Sequence, residues 1–117
     1  MKQKLKEPSI EIKANEAAVT LINIIRVEPK NYSKLMLLLK EGTDKLFSKQ
    51  TGFIAVAIQS NKEENTIILY GQWKSTLDIE NFRKVPEIQT YFKSLLEIAK
   101  FESIICNNIP YINSHSS

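Results

Sequence analysis

Histidine and cysteine are nearly missing from this chain of 117 residues, which has one His at position 115 and one Cys at position 106. A lone thiol forms no internal disulfide, which fits a reducing compartment. Cys106 closes the apolar run Ser103–Cys106 and reads as an inert packed thiol. One tail imidazole and one thiol do not make the N/S donor set of a zinc or iron site, so no metal is expected. Nor is there a Ser-His or Cys-His pair for nucleophilic catalysis. Glycine is scarce too, with three in the chain. That excludes a glycine-rich phosphate loop and a dinucleotide fingerprint. The arginines are Arg26 and Arg83, and 16 basic residues face 13 acidic ones for a net charge of +3. No basic stripe interleaves with aromatics, so nucleic acid is not an expected partner. Apolar runs are short, as in Leu35–Leu39, far below the roughly 20 residues that span a bilayer. The lysines at 2, 4 and 6 precede no apolar segment, so no signal peptide is read there. No membrane partner and a cytoplasmic location are the expectations.

What is present is a clear change of period along one domain-sized chain. Residues 1–17 are polar and irregular and are read as a mobile N-terminal arm. The domain is expected over 18–112, with a disordered tail at 113–117. VTLINIIRVE (19–28) is β-branched and stops at Pro29, a strand signal. In 30–50, Leu35, Leu38, Leu39, Gly42 and Leu46 form one apolar helical stripe, with Asn31 as the cap. Gly42 on that stripe is expected to let the helix press closely onto a sheet. GFIAVAIQS (52–60) is a second strand, NKEEN (61–65) a hairpin turn, and TIILYGQWK (66–74) a third strand. Ser75-Thr76-Leu77-Asp78 spells a capping box with Asp in place of Glu, opening a short helix to Lys84. Pro86 starts another helix, with the stripe Ile88, Tyr91, Phe92, Leu95, Leu96, Ala99. FESIICNNIPYI (101–112) is the fourth strand.

This order, β-α-β-β-α-β, is the α+β ferredoxin-like arrangement, a four-stranded antiparallel sheet with helices on one face. Alternate strand residues point to opposite faces. One row holds Val19, Leu21, Asn23, Ile25 and Val27, with Ile67, Leu69, Gly71 and Trp73 in the third strand. The other row holds Thr20, Ile22, Ile24 and Arg26, with Ile68, Tyr70 and Gln72 in the third strand, and is also read as largely apolar. A sheet with one wet face alternates more cleanly. The second face is therefore expected to pack on another copy, giving a homodimeric α/β barrel.

The series VTLINIIRVEP, TGFIAVAI, ILYGQWKST and PEIQTYF resembles the antibiotic biosynthesis monooxygenase domain family, over roughly residues 18–105. The Gly-Phe opening the second strand and the Tyr-x-Gln-Trp-x-Ser ending the third carry most of the likeness. The resemblance implies a small dimer with a pocket between sheet and helices. Several members oxidise phenolic or hydroquinone-like aromatics to quinones with molecular oxygen and no metal or flavin. Others degrade haem or isomerise small signalling molecules.

The family's pocket Trp puts the Trp73 row toward the helices, with Leu69 and Gly71 as floor. Trp73 is then either the wall of a pocket or a plug under the turn at Ser75. Asn23, the odd amide of an apolar row, matches the Asn of the haem-degrading branch. It is either a pocket residue or a satisfied structural amide. On the pocket reading, Asn23 and Trp73 are the catalytic pair, holding a substrate oxygen through their N–H groups. Phe47, Leu69, Gly71, Phe82, Tyr91 and Phe92 contact a small aromatic or apolar molecule, although helical aromatics are more often core. No cofactor is implied. No general base stands out unless Tyr91 or a water serves.

Departures matter as well. Quinone-forming members carry an Asn where this chain has Leu69, and a Tyr where it has Ile79. The axial His of haem-degrading members would align near Phe92, so haem degradation is not expected. The leading expectation is a cofactor-independent monooxygenase. The alternatives are a non-catalytic barrel that binds a small apolar ligand, and an isomerase of a small carbonyl compound.

Overall fold

A computed structural model of the protein describes residues 18–107. The expected arm at 1–17, the last residues of the domain at 108–112 and the tail at 113–117 lie outside the described residues. The strands are β1 (Val19–Val27), β2 (Phe53–Asn61), β3 (Thr66–Trp73) and β4 (Ala99–Asn107), and the helices are α1 (Tyr32–Lys45), α2 (Thr76–Arg83) and α3 (Pro86–Leu96). The four strands lie in the order β2-β3-β1-β4, all pairs antiparallel. This is the ferredoxin-like α+β fold that the element order predicts. No helix among the described residues is long and apolar enough to cross a membrane.

The parity of β1 decides the layering. Val19, Leu21, Asn23, Ile25 and Val27 are all buried, and the four apolar ones join Leu35, Leu39, Ile79, Ile88 and Leu95 from the three helices in one core. Ile67, Leu69 and Trp73 of β3 belong to the same cluster. The row with Asn23 and Trp73 therefore faces the helices. On the opposite face, register aligns Ala57, Tyr70, Ile22 and Ile104 in one line across all four strands. That line is apolar, and Ile104 is 47% exposed.

Several local expectations are corrected. The first helix ends at Lys45 instead of running to residue 50, and a 3-10 turn at Phe47–Lys49 follows it. That turn swings Phe47 into the core, where it is 4% exposed. Asn31 makes no capping bond through its side chain; a 3-10 turn at Pro29–Asn31 leads into the helix instead. The fourth strand begins at Ala99, because Ala99 and Lys100 pair with Val27 and Arg26. Leu96, placed on the inward stripe of α3, is 58% exposed.

Gly42 does not serve a helix–sheet contact. A Cβ there would meet the Tyr91 hydroxyl and ring at 2.2 and 2.4 Å, so the glycine seats the ring of a residue on α3. Tyr91 Oη donates to the Leu38 carbonyl, 2.8 Å away, one turn before Gly42. Gly42→Ala would add about 1 kcal/mol of helix propensity. It would also expel the Tyr91 ring, and overpacking of this kind costs about 1–3 kcal/mol, with the Tyr91 hydrogen bond lost besides. The expected outcome is a net loss near 2 kcal/mol, read as a fall of roughly 10 °C in Tm by calorimetry. An unchanged or raised Tm would contradict this packing.

Candidate functional site

The end of β3 is anchored from three directions. Ser75 caps α2, accepting from the Asp78 N–H at 3.1 Å. The reciprocal bond differs from the expected box: Asp78 Oδ2 accepts from the Ser75 hydroxyl at 2.9 Å. Asp is one methylene shorter than the Glu of a full box, and here its carboxylate takes the nearer hydroxyl proton. Gly52, at φ +85°, lies under that carboxylate, where a Cβ would meet Asp78 Cγ at 2.3 Å. The Gly52 carbonyl accepts from Lys74 N–H at 2.8 Å. Trp73 is therefore held between a fixed strand end and a capped helix.

Trp73 is 3% exposed. Its ring packs on Phe82 at 4.7 Å and edge-on to Phe53 at 5.5 Å. Its Nε1 lies over Gly71, 3.3 Å from where a Cβ would stand. Phe47 stacks on Phe92 at 5.8 Å and meets Phe82 and Tyr91 edge-on. These rings nearly fill the space above Gly71. What remains is a cavity of about 20 Å³, lined by Asn23, Phe47, Leu69, Gly71, Trp73 and Phe82 among others. It has room for about one water.

A larger cavity lies beside it. About 340 Å³ opens between the β1–β4 half of the sheet and the helices, with Leu21, Asn23, Phe101 and Ser103 as floor and Phe82, Ile88 and Phe92 as wall. Its volume is at the low end of the roughly 300–1,000 Å³ typical of small-molecule sites. Leu21, Asn23, Phe82 and Phe92 line both cavities. Asn23 is the polar side chain common to both.

Register explains why. Asn23 is paired with Leu69 on one side and with Ser103 on the other. The Ser103 hydroxyl donates to Asn23 Oδ1. That bond occupies the amide oxygen, and no described residue accepts from the Asn23 NH2 group. The indole N–H of Trp73 likewise has no acceptor among the described residues. Neither nitrogen is sealed in protein, since the one fully buried polar side-chain atom without a partner among the described residues is Tyr32 Oη. Two N–H donors are thus unspent at one small apolar space.

The structure gathers Asn23, Trp73, Phe47, Leu69, Gly71, Phe82 and Phe92 around the inner cavity, and of these Asn23, Phe82 and Phe92 also reach the outer one. Tyr91 lines neither. Burial, reinforced by the negative charge of Glu41, pushes its phenol well above the ordinary tyrosine range. It stays protonated and bonded to Leu38, so it cannot act as a base. Sequence reasoning misses Ser103, Phe101, Arg83, Gln89 and Lys93 at the large cavity. Ser103 had a signal: it interrupts an apolar strand at the register partner of Asn23. The others had none.

The profile of the antibiotic biosynthesis monooxygenase family matches residues 18–94. The chain belongs to this family. Tetracenomycin-F1 monooxygenase of Streptomyces glaucescens is 24% identical over 87 residues, which is 74% of this chain and 78% of that protein. Among solved structures, a conserved protein of Methanosarcina mazei Go1 superposes with a TM-score of 0.71 at 18% identity, covering 80% of this chain and 94% of the other. SnoaB, a cofactor-independent oxygenase from Streptomyces nogalater, gives a TM-score of 0.66 at 14% identity, over 86% of this chain and 99% of its own. At these identities the structural likeness is one of fold. The match runs from the start of β1 into α3; the β4 residues Phe101 and Ser103 lie beyond it.

Proposed function

We propose that the chain is a cofactor-independent monooxygenase that oxidises a small phenolic or hydroquinone-like aromatic with molecular oxygen. One observation carries the proposal: the Asn23 NH2 and Trp73 N–H groups border the same apolar cavity and no described residue uses either. The names of the relatives, a monooxygenase and a cofactor-independent oxygenase, support it. A flat ring fits the aromatic outer cavity, with its oxygen directed at Asn23. An electron-rich substrate anion can pass an electron to oxygen itself. The two donors favour that anion and hold it in a space that excludes water. The balance needs no outside reductant. A ring CH2 becomes a carbonyl with one oxygen atom, or a phenol loses one ring C–H and its O–H as that ring carbon gains the oxygen and the quinone forms; in either case the two hydrogens leave with the other oxygen atom as water. Neither cavity is lined by a carboxylate among the described residues. The substrate must therefore ionise without one, and the rate should follow the pKa of the substrate. The test is oxygen uptake with phenols, hydroquinones and anthrones, chelator present throughout. Uptake above the uncatalysed rate that tracks substrate supports the proposal; none from a folded protein rejects it.

A second reading rests on the 20 Å³ of the inner cavity. A ligand that stays in the outer space never reaches Trp73, and the protein then binds without turnover.

The assembly proposed is a homodimer closed on the apolar line Ala57–Tyr70–Ile22–Ile104. Light scattering should give about twice 13.4 kDa. Tyr70→Asp would bury a charge at that face, a cost of several kcal/mol, and should yield monomer at micromolar concentration. A mutant that remains fully dimeric would place the interface elsewhere.

A further inference from the structure

Leu21, Asn23, Phe82 and Phe92 line both cavities, so the boundary between the two runs through them. They are not held alike. Leu21 and Asn23 stand on β1, which is paired along both sides, and Asn23 is tied to Ser103. Phe82 is 4% exposed and packs on Trp73 at 4.7 Å and on Phe47 at 5.4 Å. Phe92 is half-buried. Its ring has one neighbour from each side. Phe47, which lines the inner cavity and not the outer, stacks on it at 5.8 Å. Phe101, which lines the outer cavity and not the inner, meets it edge-on at 5.8 Å. A phenylalanine on a helix has two favoured χ1 rotamers, so this ring has a second position open to it. The inner space, at about 20 Å³, admits no aromatic ring until a side chain moves, and about 340 Å³ of open volume adjoins Phe92 on its other side.

We infer that Phe92 is the gate between the two cavities: a small aromatic occupies the outer one first and touches Trp73 only when the Phe92 ring turns aside. This rests on reading the outer cavity as the substrate site and adds the residue that decides what passes inward. With the ring in place, Asn23 is within reach from the outer cavity and Trp73 is not, because Asn23 borders both spaces and Trp73 the inner one alone. With the ring turned, the two spaces join over Asn23, and both N–H donors face one ligand. Turning gives up the ring contacts with Phe47 and Phe101. The closed state is therefore the majority, and contact that needs the open one is reduced by its small population.

The probe is 4-iodophenol, because iodine quenches an indole by contact and the chain has one tryptophan. Occupancy is measured by calorimetry and contact with Trp73 by its fluorescence, both without oxygen and on the full-length protein, so that turnover plays no part. At equal occupancy, Phe92→Ala should show roughly threefold more quenching than wild type, or better, as the population that reaches Trp73 grows. Phe92→Leu keeps apolar bulk without the flat ring and should fall between the two; it carries the same test if the alanine variant does not fold. Equal quenching per bound probe in wild type and variants, whether complete or absent, would overturn the inference, and so would no binding of the probe to any of them. Raised quenching in the variants with no oxygen uptake from any phenol keeps the gate and rejects the oxidation reading. Oxygen uptake by the wild type with equal quenching does the reverse.

Discussion

Asn23→Ala should lower substrate-dependent oxygen uptake by about 100-fold, the usual effect of removing one donor aimed at a developing oxyanion. Stability should change little by comparison. The bond lost is the one from Ser103, which is exposed and can turn its hydroxyl to water. That is about 1 kcal/mol, or roughly 4–8 °C in Tm. Asn23→Asp separates the two roles of the amide. It keeps an acceptor for Ser103 and removes the N–H donor, so activity should fall at least as far as in the alanine variant. Stopped uptake with an intact melting curve supports Asn23 as a donor to substrate. If Asn23→Asp keeps wild-type turnover, Asn23 is a structural amide and the proposed site is wrong.

Trp73→Ala should be the most destabilising single change at the site. The ring is 3% exposed and wedged between Phe53 and Phe82. Truncating a buried aromatic costs about 3–5 kcal/mol, against a total of about 5–15 kcal/mol for an ordinary domain. Loss of activity in that variant says little about chemistry. Trp73→Phe is the sharper test, because it keeps most of the packing and removes the N–H. Chemical denaturation should place it within about 2 kcal/mol of wild type. Its oxygen uptake should fall about tenfold, in line with one weaker hydrogen bond to the substrate oxygen. A Trp73→Phe variant with full activity would make Trp73 a core residue only.

Of the two readings that its position in the sequence suggested for Trp73, the packed core ring is the one the structure shows. Packing against Phe53 and Phe82 is shown by the ring geometry, and the donor role belongs to the proposal. Strand parity put Val19, Leu21, Asn23 and Trp73 in one row, and the family resemblance chose the face for that row, which is buried. The split of the second crossover at Lys84–Pro86 was legible from Ser75 and Pro86, whose backbone preferences are local. The limits of α1 and β4 were less so, because register with Val27 and a 3-10 turn at Phe47 override the apolar period. Periodicity puts Tyr91 on the inner side of α3 but does not say which neighbour it meets, and Gly42 proves to be that neighbour. The large cavity was the least legible feature. Its floor joins Asn23 to Ser103, 80 residues apart in sequence, through strand pairing. Its lining takes Arg83 and Lys93 from two helices that the sequence separates only by a turn.

The measurement closest to the central claim is mass spectrometry of the product formed under ¹⁸O₂ from a turned-over phenol or anthrone, with chelator present. The account predicts one labelled oxygen in each quinone formed, with about 100-fold less labelled product from Asn23→Ala. Unlabelled product, or product formed equally fast without oxygen, would contradict it.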